Sequence, residues 1–451
     1  MTLSISRSPR TRRAFAATRT LCHPSARKDQ PSLAVLPFMD LRPESRDTYL
    51  AEGIAEEVMQ GLNQIEGLRV LSRTTSFLYG GSSLPLAEVG RRLQATAILG
   101  GTLSAREERL ALKVALVQAP TGKELWSKHY DCHRTELFSA LEDIARRVAS
   151  ALQLPAAIQS RRPVGLEAYE YYLRGRQYYF HYSRRGMGFA EEMFKRSLDA
   201  DPTFASAWTG LANCAAYSYI YMDRSEPQRE MAESCSRKAL ELDPDLAEAQ
   251  ASRGVALSAA GLADEAERAF ETALSLDPNL YEAAYFYARH CLAAGKPERA
   301  IEFFEWAAAL RPEDFQAILL VAQVYHSLGV EDEAERARRA GLALVEARLA
   351  YAPDDVRARY LGANALVALG DQEKGLAWAR MARSLDPDDP MLLYNLGCIH
   401  ALAAEPEVAL DCLERAVAAG LSQKEWLRHD GDLDAIRSSP RFAALMASLD
   451  R

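Results

Sequence analysis

Six prolines end helical stretches of this 451-residue chain at nearly constant intervals. Pro202, Pro244, Pro278, Pro312, Pro353 and Pro387 are spaced by 42, 34, 34, 41 and 34 residues. Three of them sit in the same tripeptide, Leu242-Asp243-Pro244, Leu276-Asp277-Pro278 and Leu385-Asp386-Pro387. Proline pushes the residue before it out of the helical region, so each one stops a helix, and the aspartate suits the turn that follows. A stop that returns on a fixed period means one small unit used again and again. Such units cannot bury their apolar faces alone and must stack on one another. Their interiors agree. The second unit carries Trp208, Leu211, Ala212, Ala232 and Ala239, the third Gly254, Ala266, Phe270 and Ala273, and the fourth Ala288, Ala300, Phe304 and Ala307. The seventh has Leu396, Gly397, Ala409 and Ala416, then runs into Gly420 without a proline. Two antiparallel helices approach closely only where side chains are small, and Phe270 or Phe304 fills the space left beside them.

A 34-residue period of two helices with this pattern resembles the tetratricopeptide repeat, TPR. The longer spacings read as 34 plus two helical turns. The second unit is expected to lengthen its inter-helix turn by eight residues around Tyr219–Arg229, and the fifth to extend its second helix over Glu333–Tyr351. The first, with Gly175, Tyr178, Ala190 and Phe194, has three extra residues within His181–Gly188. Seven TPR-like helix pairs are expected over 167–421. Residues 422–451, with Trp426, Asp432-Leu433-Asp434 and Pro440-Arg441-Phe442, read as a helical cap over the open solenoid end.

Residues 33–153 follow another pattern. Leu33–Phe38 is an apolar run suited to a buried strand, and Leu50, Ile54, Val58, Leu62 and Ile65 step along one helix face. Leu68–Tyr79 is rich in strand formers, including Val70, Thr74, Thr75 and Phe77, and Leu86–Leu93 is a short helix. Ala97–Leu103 is a strand, Leu110, Leu112, Val114 and Leu116 alternate, and Leu125–Tyr130 follows a turn at Pro120-Thr121-Gly122. Phe138, Leu141, Ile144, Val148 and Leu152 mark a last helix. The expected order is βαβαβββα, one layer of helices on a mixed sheet, giving an α/β domain followed by an all-α solenoid.

The runs SLAVLPFMDL, YLAEGIAEEVMQGLNQIEGLRVLSRTTSF, AEVGRRLQATAILGGTL and LKVALVQAPTGKELWSKHYD resemble the bacterial TolB amino-terminal-like (FlgO-like) domain. In that family TPRs often follow, opening much like EAYEYYLRGRQYY and closing much like EWLRHDGDLDAIRSSPRF, so the resemblance spans about 33–451. It implies a non-catalytic accessory region of signalling proteins, set behind class III adenylate cyclases, protein kinases or winged-helix regulators. Only 32 residues precede the domain, too few for an effector of that kind, which is expected to lie in another chain or upstream, or to have been lost.

Charge separates along the chain. Residues 1–32 hold Arg7, Arg10, Arg12, Arg13, Arg19, Arg27 and Lys28 against the single acid Asp29. That segment reads as a basic disordered tail. Its net of +6 within a total of −8 leaves −14 on the rest, which argues against a nucleic-acid surface. Residues 154–166 read as a linker. Seven scattered cysteines with no Cys-x-x-Cys fit a reducing compartment, and no run is apolar enough to span a bilayer, so a cytoplasmic protein is expected.

No catalytic set emerges. Gly122-Lys123-Glu124 is no phosphate loop, and no His-Glu-x-x-His or Gly-x-Ser-x-Gly occurs. Cys132-His133 and His290-Cys291 are adjacent pairs that point apart, and Cys398, His400 and Cys412 fall at ordinary packing positions. Glu56-Glu57, Arg91-Arg92 and Arg161-Arg162 read as solvated charges. No cofactor or metal is expected.

The TPR resemblance implies that first helices line a concave groove through positions 2, 5, 9, 12 and 13 of each unit. That register selects Tyr172, Tyr179 and Phe180, then Asn213 and Tyr217, Tyr285 and Arg289, Gln323 and His326, Tyr360 and Asn364, and Tyr394. Tyrosine combines a rigid apolar face with a hydroxyl, a combination favoured in recognition surfaces. Two functions remain open: a non-catalytic scaffold binding a protein or peptide segment in the groove, or a regulatory accessory of a cyclase or transcription regulator.

Overall fold

The computed structural model describes residues 31–41, 49–63, 65, 67–71, 76–77, 79–80, 84–106, 109–119, 121–133, 136–155, 164–179, 184–222, 225–421 and 423–449. The basic tail, Thr74, Thr75, Arg161, Arg162, Phe180 and most of the expected linker lie outside the described residues.

The amino-terminal sheet is mixed, as its sequence pattern demands. Strands β1 (Ser32–Val35) and β2 (Met39–Asp40) both run parallel to β4 (Ala97–Arg106), and β3 (Arg69–Val70) pairs with β1. Antiparallel β5 (Arg109–Gln118) and β6 (Glu124–His133) complete the order β3-β1-β4-β5-β6. Leu110, Leu112, Val114 and Leu116 of β5 are fully buried on one face. Helices α1 (Tyr49–Asn63) and α3 (Leu137–Ala151) cover that face through Leu50, Ile54, Val58, Leu141, Ile144 and Val148.

Two expectations are corrected here. Short α2 (Leu86–Arg92) lies on the opposite face, where Val89 packs with Ala34, Leu36, Ile98 and Ala119, so helices flank both sides of the sheet. Strand β1 is buried on both faces and needs that second cover. Among its described residues, the β-rich run Leu68–Tyr79 yields only the two-residue β3, and Ser76-Phe77 is helical.

Seven helix pairs follow among the described residues: α4 (Leu166–Tyr179) and α5 (Arg184–Ala200), α6 (Ala205–Tyr221) and α7 (Glu226–Leu242), α8 (Ala247–Ala259) and α9 (Ala263–Leu276), α10 (Tyr281–Ala293) and α11 (Pro297–Leu310), α12 (Phe315–Ser327) and α13 (Glu331–Tyr351), α14 (Val356–Ala368) and α15 (Gln372–Leu385), α16 (Pro390–Leu402) and α17 (Pro406–Ala418). Every one of the six prolines stands two residues past the end of its helix. Later units are restarted by aspartates: Asp314, Asp355 and Asp389 accept from the backbone N–H of Gln316, Ala358 and Leu392 at 2.7, 3.0 and 2.7 Å. Phe270 is fully buried, rests against Gly254 and stacks on Tyr287 at 5.3 Å.

The fifth unit places its additional residues in a 21-residue second helix, as expected. The second does not lengthen its turn. Both of its helices grow to 17 residues, because Tyr217, Ile220 and Tyr221 continue the apolar face past the usual stop.

The sheet domain and the repeats share one core. Phe138 meets Tyr169 edge-on at 4.7 Å, and Leu173 of α4 sits on Gly53 of α1, where any added Cβ would collide with it. Glu56, expected on a solvated face, is instead 5% exposed and pairs with Arg176 of α4 at 3.0 Å. The tight packing of α1 on α4 buries that face.

Candidate functional site: a filled concave groove

The first helices of successive pairs turn the selected side chains inward. Tyr172 is buried against Phe194 and Phe204, with ring centroids 5.9 and 4.9 Å away. Tyr179, Asn213 and Tyr217 line one small crevice with Tyr221, whose ring lies 4.6 Å from that of Tyr217. Tyr285 is 6% exposed and accepts from Arg357 Nη2 at 2.9 Å and Arg289 Nη1 at 3.5 Å. Gln323 and His326 are half-buried, and His326 Nδ1 bonds Glu331 Oε1 at 2.8 Å. Tyr360, Asn364 and Tyr394 are buried.

The C-terminal segment fills this groove. Helix α18 (Lys424–His429) and the 3₁₀ turn Gly431–Ile436 run back across the inward faces of the repeats. Trp426 comes within 6.1 Å of Tyr221 and 6.4 Å of Tyr394, and the Arg289 guanidinium lies 4.7 Å from its ring. The Tyr394 hydroxyl donates to Asp430 Oδ2, which the Cys398 thiol also reaches at 3.5 Å. Asn364 Nδ2 donates to Asp432 Oδ2 at 2.7 Å, and Ser327 Oγ accepts from Gly431 N–H at 3.1 Å. Gln423 donates to the Ile220 carbonyl. Leu427 and Leu433 are fully buried beneath.

The cap expectation therefore divides. Helix α19 (Pro440–Ser448) does cover the last pair, with Arg441 bound to Glu407, Asp411 and Glu414 of α17. Residues 424–436 do not cap an open end. They enter the groove because Gly420, at φ +115°, turns the chain where a Cβ would stand 2.5 Å from the Met222 carbonyl oxygen.

Burial sets the electrostatics. Asp432, 2% exposed, is pushed up to about 7 by burial and then by the charge of Asp430. The same causes, in the same order, drive the Cys398 thiol well above its ordinary value. Cys398, Asp430 and Asp432 bring one sulfur and two carboxylate oxygens within 4.8 Å of one another, and the bonds from Tyr394 and Asn364 make the set a hydrogen-bonded cluster. His400 stands apart from it, bonded to Glu405 at 2.6 Å. His290 bonds Ser258 at 2.8 Å beside buried Cys291.

Arg357 is the main groove residue the sequence reading passed over. The register that selects Tyr360 and Asn364 as fifth and ninth places Arg357 second in the same helix, so the signal was available. Tyr221 had none, since it lies beyond the length of a regular first helix.

Residues 257–324 match the family model of the tetratricopeptide repeat, and the chain carries TPR repeats. Repeats of this kind make a protein-interaction scaffold. Over 248 residues the chain is 27% identical to a Rhizobium meliloti protein named as putative adenylate cyclase 3, covering 53% of this chain and 42% of that relative. The chain thus spans less than half the length of that relative. Among solved structures it is similar to YrrB, a TPR protein described as having an unusual peptide-binding site (21% identity, 41% of this chain and 91% of that one, TM-score 0.28). It is also similar to Pseudomonas aeruginosa pilF (20% identity, 49% and 92%, TM-score 0.35). These likenesses concern repeat architecture alone. No helix among the described residues is long and apolar enough to cross a membrane.

Proposed function

We propose that the chain is a non-catalytic scaffold that receives a partner protein segment in its concave groove, through Tyr172, Tyr179, Asn213, Tyr217, Tyr285, Arg289, Gln323, His326, Tyr360, Asn364 and Tyr394. One observation carries this reading: the side chains of the later units already hold a polypeptide, the chain's own residues 423–436, by an aromatic anchor, side-chain hydrogen bonds and buried leucines. Rigid attachment of the sheet domain through Glu56–Arg176 would carry any change at the first repeats to the sheet. Crosslinking of the native lysate, mapped by mass spectrometry, tests it. Crosslinks on α6, α10 and α14 that vanish in Arg289→Glu support the groove, and crosslinks confined to 31–133 would transfer the interaction to the sheet domain.

The 27% identity to a protein named as a putative adenylate cyclase favours one refinement, a regulatory accessory of a signalling effector. The TolB amino-terminal-like reading of the sheet domain, a cytoplasmic location and the unit boundaries at 33–153, 154–166, 167–421 and 422–451 belong to the same proposal. The pure chain should form no cyclic AMP from ATP, yet alter the output of a co-purified cyclase. Turnover by the chain alone would overturn the non-catalytic reading.

A further inference from the structure

We infer that the groove's partner is a protein segment with an aromatic residue followed by acidic residues four and six positions later, and that residues 423–436 are an imperfect copy of it. This rests on the groove-binding reading above and names the ligand chemistry of that site. The spacing is that of Trp426, Asp430 and Asp432. Each of the three meets a group suited to it: the Arg289 guanidinium at 4.7 Å from the indole, the Tyr394 hydroxyl on Asp430, and the Asn364 amide on Asp432 at 2.7 Å.

The fit is incomplete in one direction. Arg338, 4% exposed, leaves Nε and Nη2 without hydrogen-bond partners among the described residues, and Nη1 comes no nearer than 3.8 Å to Glu331. Arg357 Nε is likewise buried and unmade, so three guanidinium donors stand against one unmade acceptor, Asp432 Oδ1. A buried guanidinium without acceptors is costly, so the groove holds more cationic donor capacity than its own segment uses. A ligand with the same aromatic anchor and one more carboxylate would satisfy it better. Leu427 and Leu433 bury apolar side chains that any such segment must replace, which restricts the partner to one with apolar residues after the aromatic and after the second acid.

The test uses the full chain with a protease site inserted after Gly420, cleaved after folding so that the remainder stays bound only by its contacts. The probe is a labelled synthetic peptide of residues 421–437. Exchange of the cleaved segment for this peptide is expected, together with at least tenfold weaker exchange by a peptide carrying Trp426→Ala, Asp430→Ala and Asp432→Ala. In parallel, the uncleaved chain with Trp426→Ala and Asp432→Ala should bind the native peptide at least tenfold more tightly than wild type does. No exchange over a day in the cleaved chain, or equal exchange of native and triple-alanine peptides, overturns the inference. Groove crosslinks that persist despite such a failure would leave the interaction reading standing with a different ligand chemistry.

Discussion

Asn364 and Asp432, separated by 68 residues, meet through one hydrogen bond of 2.7 Å that ties the first helix of the sixth pair to the turn filling the groove. Both are nearly fully buried, at 3% and 2% exposure. Removing the amide strands a buried carboxyl, which typically costs about 1–3 kcal/mol. Asn364→Leu is therefore expected to lower the unfolding free energy of the repeats, read from urea denaturation, by that amount, with backbone exchange rising first at residues 424–436. Unchanged exchange there would mean that the contact does not hold the segment.

Asp432 also gives the seat a pH dependence. Its buried value of about 7 lies above the roughly 3.9 of a solvated aspartate, so seating favours the protonated form. The contribution is complete below about pH 4, falls by up to tenfold per unit as pH rises toward about 7, and is lost above that. Asp430, His326, Arg338, Cys398 and Tyr394 are the titratable or charged groups facing it. Hydrogen exchange of 424–436, corrected for intrinsic rates, should speed up between about pH 4 and about pH 7 and then level off. Asp432→Asn should flatten the profile.

Phe270 tests the repeat core away from the groove. Truncating a fully buried phenylalanine costs about 3–5 kcal/mol, and this one sits between Gly254 and Tyr287 with little room to collapse. Phe270→Ala should lower stability by that amount in chemical denaturation, whereas Phe189→Ala, at a site 44% exposed, should cost well under 1 kcal/mol.

The joint between sheet and repeats rests on Glu56 and Arg176. Glu56→Ala leaves a guanidinium facing a packed interface, and breaking one side of a buried pair typically costs about 3–5 kcal/mol. A single unfolding transition in the wild type should separate into two, read by near-ultraviolet and far-ultraviolet signals. A single transition of unchanged midpoint would show the joint to be held by Phe138, Tyr169 and Leu173 alone.

Periodicity carried most of this architecture into view, because a proline stop and a small-residue crossing each have one local cause. Pro278 and Gly254 act within their own unit, and the helices end and cross where those residues require. The alternating Leu110 to Leu116 announced their strand for the same reason. What stayed hidden depends on distance along the chain. Glu56 looks solvated until Arg176 arrives from another element, and the groove side chains look free until Trp426 comes back across more than 130 residues to reach Arg289. The extended helices of the second pair escaped because Tyr221 finds its apolar surroundings only there, beside Trp426.

The approach of Gly420 to the Met222 carbonyl, with Gln423 bonded to Ile220, joins the end of the seventh pair to the second. An open array of repeats behaves like a linear chain of coupled units that frays from its two free ends. Here one of those ends has been stitched to the interior, so pairs two to seven have a cyclic boundary. A break at any one interface is then opposed by the whole remaining arc, and the array is set to yield as a unit instead of unzipping.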